Sequence, residues 1–389
     1  DGETEIDGFP APSFAFRDTR ERAETRELVG YAGLNAALLG GRLRNRVAFA
    51  YTRTDRSNID PDAAVRVTFD AEGKNERFEY QGILDLDPVA ATFGAESERS
   101  SFTSASFGGV PSVADVRITS VYGEATVRPF TGLSLTGGVR YDDHETFGDA
   151  TTFGASGVFS PNSGATRLRA SYGEGFKAPS LFQLYSNFGN VALEPEMSES
   201  WEVGVGQRFL GGAIEATATY FHRDTENQID FISCPRGATA GPCVGRPSGT
   251  YDNIRLTRAE GVELGLTLRP VDRFTVIGQY SFIDATNRLT ELELARRPRQ
   301  TVSVVADYSF PFGLQAGATV AHVGDSFDNA SNMRRLDGYV LVDLRAALPM
   351  TERIELYGRV ENLLDEEYET IFRYGTAGRA AYAGVRVRI

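Results

Sequence analysis

Residues 259–270 read AEGVELGLTLRP, and the alternation inside them sets the fold. Val262, Leu264, Leu266 and Leu268 fall on one side of an extended chain, with Glu263 and Thr267 on the other, which is the period of two that a β-strand imposes. The pattern returns further on. Val340, Val342, Leu344, Ala346 and Leu348 oppose Asp343 and Arg345, and Ile354, Leu356 and Val360 oppose Arg353, Glu355, Arg359 and Glu361. At the end of the chain Val385, Val387 and Ile389 oppose Arg386 and Arg388. Helical periodicity is almost absent from Val47 onward. One greasy flank and one charged flank fit a two-sheet sandwich as well as a membrane barrel, so the connections have to choose between them.

Short connections lie at Gly40–Gly41, Pro129–Gly132, Pro161–Gly164, Leu210–Gly212, Pro270–Asp272, Pro311–Phe312 and Pro349–Thr351. They alternate with long Gly-, Asn-, Asp- and Arg-rich ones at about 55–74, 100–114, 175–197, 233–249, 287–297, 326–335 and 363–379. The runs between them exceed the mean strand of about 5–6 residues. Tight turns on one rim and long loops on the other are the plan of an all-β transmembrane antiparallel β-barrel, apolar toward lipid and polar toward a wet lumen. Tyr51, Tyr141, Phe159, Tyr172, Tyr280, Phe282, Tyr308 and Phe310 sit near strand ends, as girdles at the two lipid boundaries would. The count is about seventeen strands over residues 25–389, with residues 1–24 as the end of an extracellular loop. An odd number of antiparallel strands cannot close, and bare edges are not tolerated in lipid. The expectation is therefore the C-terminal part of a larger barrel of about 22 strands.

Composition removes other classes. With 53 acidic against 40 basic residues and a net charge of −13, the chain lacks the basic footprint that nucleic acid demands. No stretch approaches the roughly 20 apolar residues of a membrane helix. The 41 glycines, 16 tyrosines and 25 phenylalanines favour many strands and tight turns. His144, His222 and His322 are far apart and lack metal-binding spacing, and no nucleophile elbow, phosphate loop or dinucleotide fingerprint occurs, so an enzyme has little support. Cys234 and Cys243 bracket the loop-like CPRGATAGPC. A local disulfide in an oxidising compartment is preferred to a metal site, because no histidine or second cysteine pair lies nearby. Lys74 and Lys177 are the only lysines, so lumenal cations are arginines, expected to pair with carboxylates such as Asp343 or Glu361 and stiffen the wall.

The run ASYGEGFKAPSLFQLYSNFGNVALEPEMSESWEVGV, residues 170–205, resembles the segment of TonB-dependent outer-membrane receptors in which a K/R-A-P loop is followed by N-x-x-L-x-P-E and a descending strand. GVRYDDHETFG (138–148), AEGVELGLTLRP (259–270) and VENLLDEEYETIFRYGTAGRAAYAGVRVRI (360–389) are similar to further stretches of that family. Ile389 stands where the family usually ends in an aromatic residue. Within the family, KAPSLFQLYSNFGNVALEPE, ARRPRQ and DEEYETIFRYGTAGR resemble vitamin B12 (cobalamin) transporters in spacing.

The resemblance implies an active importer in the Gram-negative outer membrane. Extracellular loops would capture a scarce ligand, a plug domain would block the lumen, and a TonB-type energy-coupling protein would pull that plug through a TonB box. Plug and box precede the barrel in the family and are expected outside these 389 residues. A corrinoid is the first ligand expected, a ferric siderophore the alternative, and a passive porin the rival from another class. EIDGFPAPSFAFRDTR (5–20) resembles a loop in which aspartates placed like Asp7 and Asp18 bind calcium, although Ile6 replaces a tyrosine of that pattern. Calcium takes 6–8 oxygens, so further ligands would be needed. Tyr185, Phe188 and Phe327 are the ligand-contact candidates, because aromatic rings present large rigid surface.

Overall fold

The computed structural model describes residues 1–8, 17–235, 237–246 and 248–388, with only the backbone described at 7, 8 and 17. Its first strands are β1 (Gly2–Gly8), β2 (Arg17–Leu38), β3 (Leu43–Ile59), β4 (Val67–Asp85), β5 (Val89–Ser106) and β6 (Ser112–Phe130). Next come β7 (Leu133–His144), β8 (Gly148–Phe159), β9 (Thr166–Lys177), helix α1 (Leu181–Tyr185), β10 (Glu196–Phe209) and β11 (Ile214–Ser233). The chain continues through β12 (Gly249–Val271), β13 (Phe274–Asn287), β14 (Gln300–Ser309), β15 (Gln315–Val323), β16 (Ser326–Phe327) and β17 (Arg335–Leu336). It ends with β18 (Tyr339–Pro349), β19 (Ile354–Glu361), β20 (Glu369–Ile371), β21 (Tyr374–Gly375) and β22 (Ala380–Val387). Eighteen of these form one sheet in which each strand pairs with the next. The pairs β16–β17 and β20–β21 are small hairpins within loops.

Register turns the sequence alternation into two surfaces. Val205, Ala218, Leu264, Tyr280 and Val302 are directly paired across β10 to β14. The adjacent row, Gly204, Thr219, Glu263, Ser281 and Thr301, is paired in the same way and points to the opposite face. A sandwich would bury the apolar row, yet among the described residues only ten hydrophobic side chains are buried, and Leu264 remains 45% exposed. The wall is one sheet thick, and its apolar face is left for the surrounding medium. On β2 the outward apolar run from Leu28 to Leu38 ends where Arg26 pairs with Asp55. At about 3.4 Å per residue and a tilt near 40°, that run spans about 25 Å, the hydrocarbon height of an outer-membrane barrel.

The sheet is curled. Strands β4 and β12 are eight steps apart, about 38 Å along a flat sheet at 4.8 Å per step. One ring, Phe182 of α1, nevertheless lies 6.3 Å from Phe69 of β4, 6.0 Å from Phe102 of β5 and 6.2 Å from Tyr251 of β12. The polar face is therefore the inside. Its ion pairs run between strands, Arg46 to Glu79 (2.6 Å), Arg77 to Glu96 (2.7 Å) and Arg140 to Glu96 (2.9 Å), and along them, Arg77 to Glu79 (3.3 Å) and Arg140 to Asp142 (2.8 Å). Further round, Arg359 meets Glu361 at 3.1 Å, Arg386 and Arg388 both meet Glu355, and Arg345 binds Asp307 at 2.6 Å instead of Asp343. Asp343 instead accepts the backbone N–H of Asn362.

The lower rim repeats one turn. Leu39-Gly40-Gly41, Asn162-Ser163-Gly164 and Leu210-Gly211-Gly212 each hold three successive left-handed residues, and the third has φ of 90°, 79° and 99°, where glycine is favoured. Aromatic rings mark both edges of the band. Phe130 meets Phe159, and Phe274, Tyr308, Phe310 and Phe312 form a chain below. Above, Trp201 packs on Tyr220 and stacks on His222.

Residues 1–24, expected as loop, are largely strand: β1 pairs with the start of β2 from Gly2↔Thr25 to Gly8↔Arg17. The sheet thus has eighteen strands: the seventeen from β2 to β22 match the count expected over residues 25–389, and β1 adds an edge strand before them. The extra strand escaped notice because GETEIDG offers Ile6 as its only large apolar residue and RDTRERAETRE carries charges on both faces, so there is no apolar alternation to read. Among the described residues the edge strands β1 and β22 do not pair with each other.

Leu264→Arg, on the lipid face near mid-band, is expected to destabilise the barrel by about 2–4 kcal/mol, as charges at a bilayer midplane do. Thr217→Arg, on the inner face, should cost less than half of that. Reversible urea unfolding in phospholipid vesicles measures both, and equal costs would contradict the assignment of faces.

Candidate functional site at the upper rim

The long connections gather on one rim, at 178–195, 234–248, 288–299, 324–338 and 362–379, beside the shorter 60–66, 107–111 and 145–147. Connection 178–195 turns inward. Ser180 caps α1 through its hydroxyl, which accepts the Gln183 N–H, while the Gln183 side chain accepts the Ser180 N–H. This reciprocal cap lets a five-residue helix persist. Leu184, Leu193 and Ile229 form the buried cluster beneath it, with Phe147 and Tyr251 packed against them. A side chain at Gly189 would collide with the Leu184 carbonyl at 2.4 Å, so the chain passes there only as glycine.

The residues of the N-x-x-L-x-P-E stretch hold this connection in place. Asn190 donates its side-chain amide to Tyr251 O at 3.0 Å and accepts the Ala192 N–H. Leu193 is 2% exposed. Glu196 takes Lys177 Nζ at 2.8 Å and the Ile229 N–H at 3.1 Å. Asn253 clasps the Glu194 backbone, accepting its N–H and donating to its carbonyl. The N-L-x-D-x-x-Y stretch works alike at the next loops. Asn362 accepts the Glu366 N–H and donates to Glu366 O, Asp365 accepts the Arg379 N–H, and Tyr368 stacks on Tyr339 at 4.2 Å.

Above the lumen this framework leaves a shelf of rings. Phe182, Tyr251, Phe231 and Phe188 follow one another edge to face at 6.2, 5.4 and 5.7 Å. Phe188 and Tyr185 are about two-fifths exposed. Of the contact candidates, these two belong to the shelf connection, whereas Phe327 lies in the β16–β17 hairpin, where its carbonyl accepts the Arg296 N–H. Sequence reading missed Phe69, Phe102, Phe182, Phe231 and Tyr251, which are spread over four strands and α1 and announce themselves only once the wall curls. A second feature lies in loops 324–338 and 362–379, where Arg334 and Arg373 stand 5.5 and 5.2 Å from the Phe372 ring centroid. Such cation–π geometry presents guanidinium charge at the surface.

Cys234 and Cys243 form a disulfide, Cα–Cα 5.3 Å, in the β11–β12 connection. Asp18 is exposed on β2, and Asp7 lies on the paired strand with its side chain outside the described residues. Among the described residues no group of three or more His, Cys, Asp or Glu side chains is placed to hold a metal ion. His144 ends β7, three residues beyond the band residue Tyr141, and its Nδ1 accepts the N–H groups of Thr146 (3.2 Å) and Phe147 (3.3 Å). Burial pushes its pKa below the ordinary histidine value, against the raising influence of Glu145 and Asp143.

A curled antiparallel wall with an arginine-carboxylate lumen and inward-folded loops is the architecture of an outer-membrane receptor barrel. The profile of the family described as "TonB dependent receptor-like, beta-barrel" matches residues 4–363, and the chain belongs to that family, which resides in the outer membrane. Among solved structures, a variant of the ferric enterobactin receptor PfeA from Pseudomonas aeruginosa superposes with TM-score 0.80 at 19% identity, covering 96% of this chain and 63% of its own. The siderophore receptor PirA from P. aeruginosa gives 0.75 at 20% identity, with 94% and 64% covered. The copper transporter OprC gives 0.76 at 14% identity, with 94% and 65% covered. The chain thus spans somewhat under two-thirds of the length of these relatives, and the likeness at such identities is one of fold.

Two outcomes test the rim. Burying Phe→Ala costs about 3–5 kcal/mol in a full core, so Phe182→Ala, at a half-buried position, should cost roughly half of that locally. Limited proteolysis should then cut connection 178–195 while the barrel keeps its folded electrophoretic mobility; uncut loops would contradict the packing role of this ring. A lowered His144 pKa means that its contribution is complete above about pH 6.5, the ordinary value, and is lost as pH falls below it. Amide exchange at Thr146 and Phe147, corrected for intrinsic rates, should accelerate from pH 7.5 to 5, and a flat profile would contradict this.

Proposed function

We propose that this chain forms the ligand-capturing and wall-forming part of an active importer, with its upper-rim loops holding a large, rigid ligand above the lumen. The observation that carries the reading is the inward-folded connection 178–195, whose half-exposed rings Tyr185 and Phe188 sit over the polar interior. Rigid aromatic surface recognises a flat or bulky ligand with little entropy lost. In this reading the complete protein holds a plug in the lumen. An energy-coupling protein of the TonB type pulls it, and the arginine-carboxylate wall offers hydrogen bonds that a plug can exchange during that movement.

A corrinoid is the first ligand proposed, supported by the likeness of 177–196, 295–300 and 365–379 to cobalamin transporters. A ferric siderophore is the second, supported by the fold shared with PfeA and PirA and by the Arg334–Phe372–Arg373 cluster, which would suit an anionic chelate. Calcium enters as a condition of binding only: the β1–β2 hairpin brings positions 7 and 18 to one end, yet two carboxylates fall short of the ion's oxygen requirement.

Equilibrium binding to the purified complete receptor separates the alternatives. Cyanocobalamin binding that strengthens with calcium and weakens in Asp7→Ala/Asp18→Ala supports the corrinoid reading and its calcium loop. Binding of a ferric catecholate alone, lost in Arg334→Ala/Arg373→Ala, supports the siderophore reading. Saturable binding of neither, together with ion conductance in planar bilayers, would leave a passive porin.

A further inference from the structure

We infer that Arg246, pinned by the Cys234–Cys243 disulfide, is the positioning residue that sets the shape of the ring shelf. This rests on reading the rim as a ligand site. The guanidinium of Arg246 donates to two successive parts of the 178–195 connection: Asn187 O at 2.8 Å through Nη1, and Gly189 O through Nη2. Between them, Phe188 O accepts the Thr250 hydroxyl at 2.9 Å and the Tyr251 N–H at 3.3 Å. Three consecutive carbonyls, including that of the exposed Phe188, are therefore held by the hairpin that follows the disulfide. Thr250 is wholly buried, so this side of the clasp is closed to water.

The disulfide determines where Arg246 stands. Arg246 N donates to Cys243 O at 3.1 Å, and Cys234 N donates to Ser248 O at 3.1 Å. The bridge thus sits between both strands of the hairpin and the turn that carries Arg246. Without it, residues 235–248 would be a long loop whose ordering entropy the three carbonyl contacts alone must offset. An arginine suits the task because its planar fork reaches two acceptors at once, whereas a lysine reaches one. Arg246 has no carboxylate partner among the described residues, so its charge is spent on these carbonyls, and hydrogen bonds from charged donors are the strong ones.

Hydrogen exchange of amides 186–190, measured on the complete receptor without ligand, is the primary test. It is paired with the affinity for cyanocobalamin and for a ferric catecholate. Arg246→Ala and the double change Cys234→Ser/Cys243→Ser should each speed exchange roughly tenfold or more, the loss expected for a charge-assisted pair of bonds. Each should weaken whichever probe binds by a similar factor. Combined, they should do no more than either alone, and Arg246→Lys should fall between wild type and Arg246→Ala. The barrel's heat-modifiable mobility should be unchanged throughout, which separates loss of positioning from loss of fold. Exchange unchanged in Arg246→Ala, or effects that simply add, would overturn the inference. If the wild type binds neither probe but exchange responds as stated, the ligand reading fails while the bracing role of Arg246 stands.

Discussion

A polypeptide in hydrocarbon must satisfy every backbone N–H and C=O from within, and the rest of this structure follows from how the chain meets that demand. Each of the eighteen strands of the sheet, including the seventeen from β2 to β22 that cross the band, is paired with its sequence neighbour along most of its length. Antiparallel pairing of successive strands forces side chains into two sets, and the two sets face different solvents. Apolar side chains can then remain uncovered, as Leu34 does at 80% exposure. In water that would be a fault; in a lipid layer it is the stabilising surface. The charged set is committed to the interior, where arginines and carboxylates satisfy one another from strand to strand.

The upper rim solves a different problem, since its loops must be fixed without a core. Among the described residues the only buried apolar cluster there is small, built on Leu184, Leu193 and Ile229. Most of the order comes from side-chain amides and carboxylates closing on backbone groups. Asn253 and Asn332 each hold a separate segment through both ends of the side-chain amide, Asn190 ties its own connection to Tyr251, and Asn362 closes its own connection on Glu366. Such bonds are individually worth about 1 kcal/mol, but a loop held by several at once has few alternative shapes. That rigidity is what keeps the rings at 185 and 188 exposed instead of collapsing onto their neighbours.

How much of this could be read beforehand depended on whether a residue's role was periodic. Strands β2 to β22 of the wall announce themselves because lipid and lumen impose opposite preferences every second residue, as in Val262 to Leu268. Strand β1 stands above the band, where both faces meet water, so Thr4 and Ile6 carry no signal beyond propensity. The same limit applies to the site. Tyr185 and Phe188 were legible as aromatics in a loop, but Phe69, Phe102 and Tyr251, which pack on Phe182 of the same connection, come from distant strands brought together only by curvature. Arg246 looks in sequence like any loop arginine, and its three-residue offset from Cys243 acquires meaning only when the carbonyls of 187 and 189 appear beside it.

Site-directed spin labels placed one at a time along residues 261–268 of the complete receptor in bilayers test the two-solvent wall most directly. Labels at 262, 264, 266 and 268 should relax strongly with molecular oxygen and weakly with a water-soluble nickel chelate, and labels at 261, 263, 265 and 267 should show the reverse. Alternation with the period of two is what the account requires. Uniform access to the aqueous reagent, or uniform exclusion of both, would mean that these strands do not separate lipid from an enclosed polar interior.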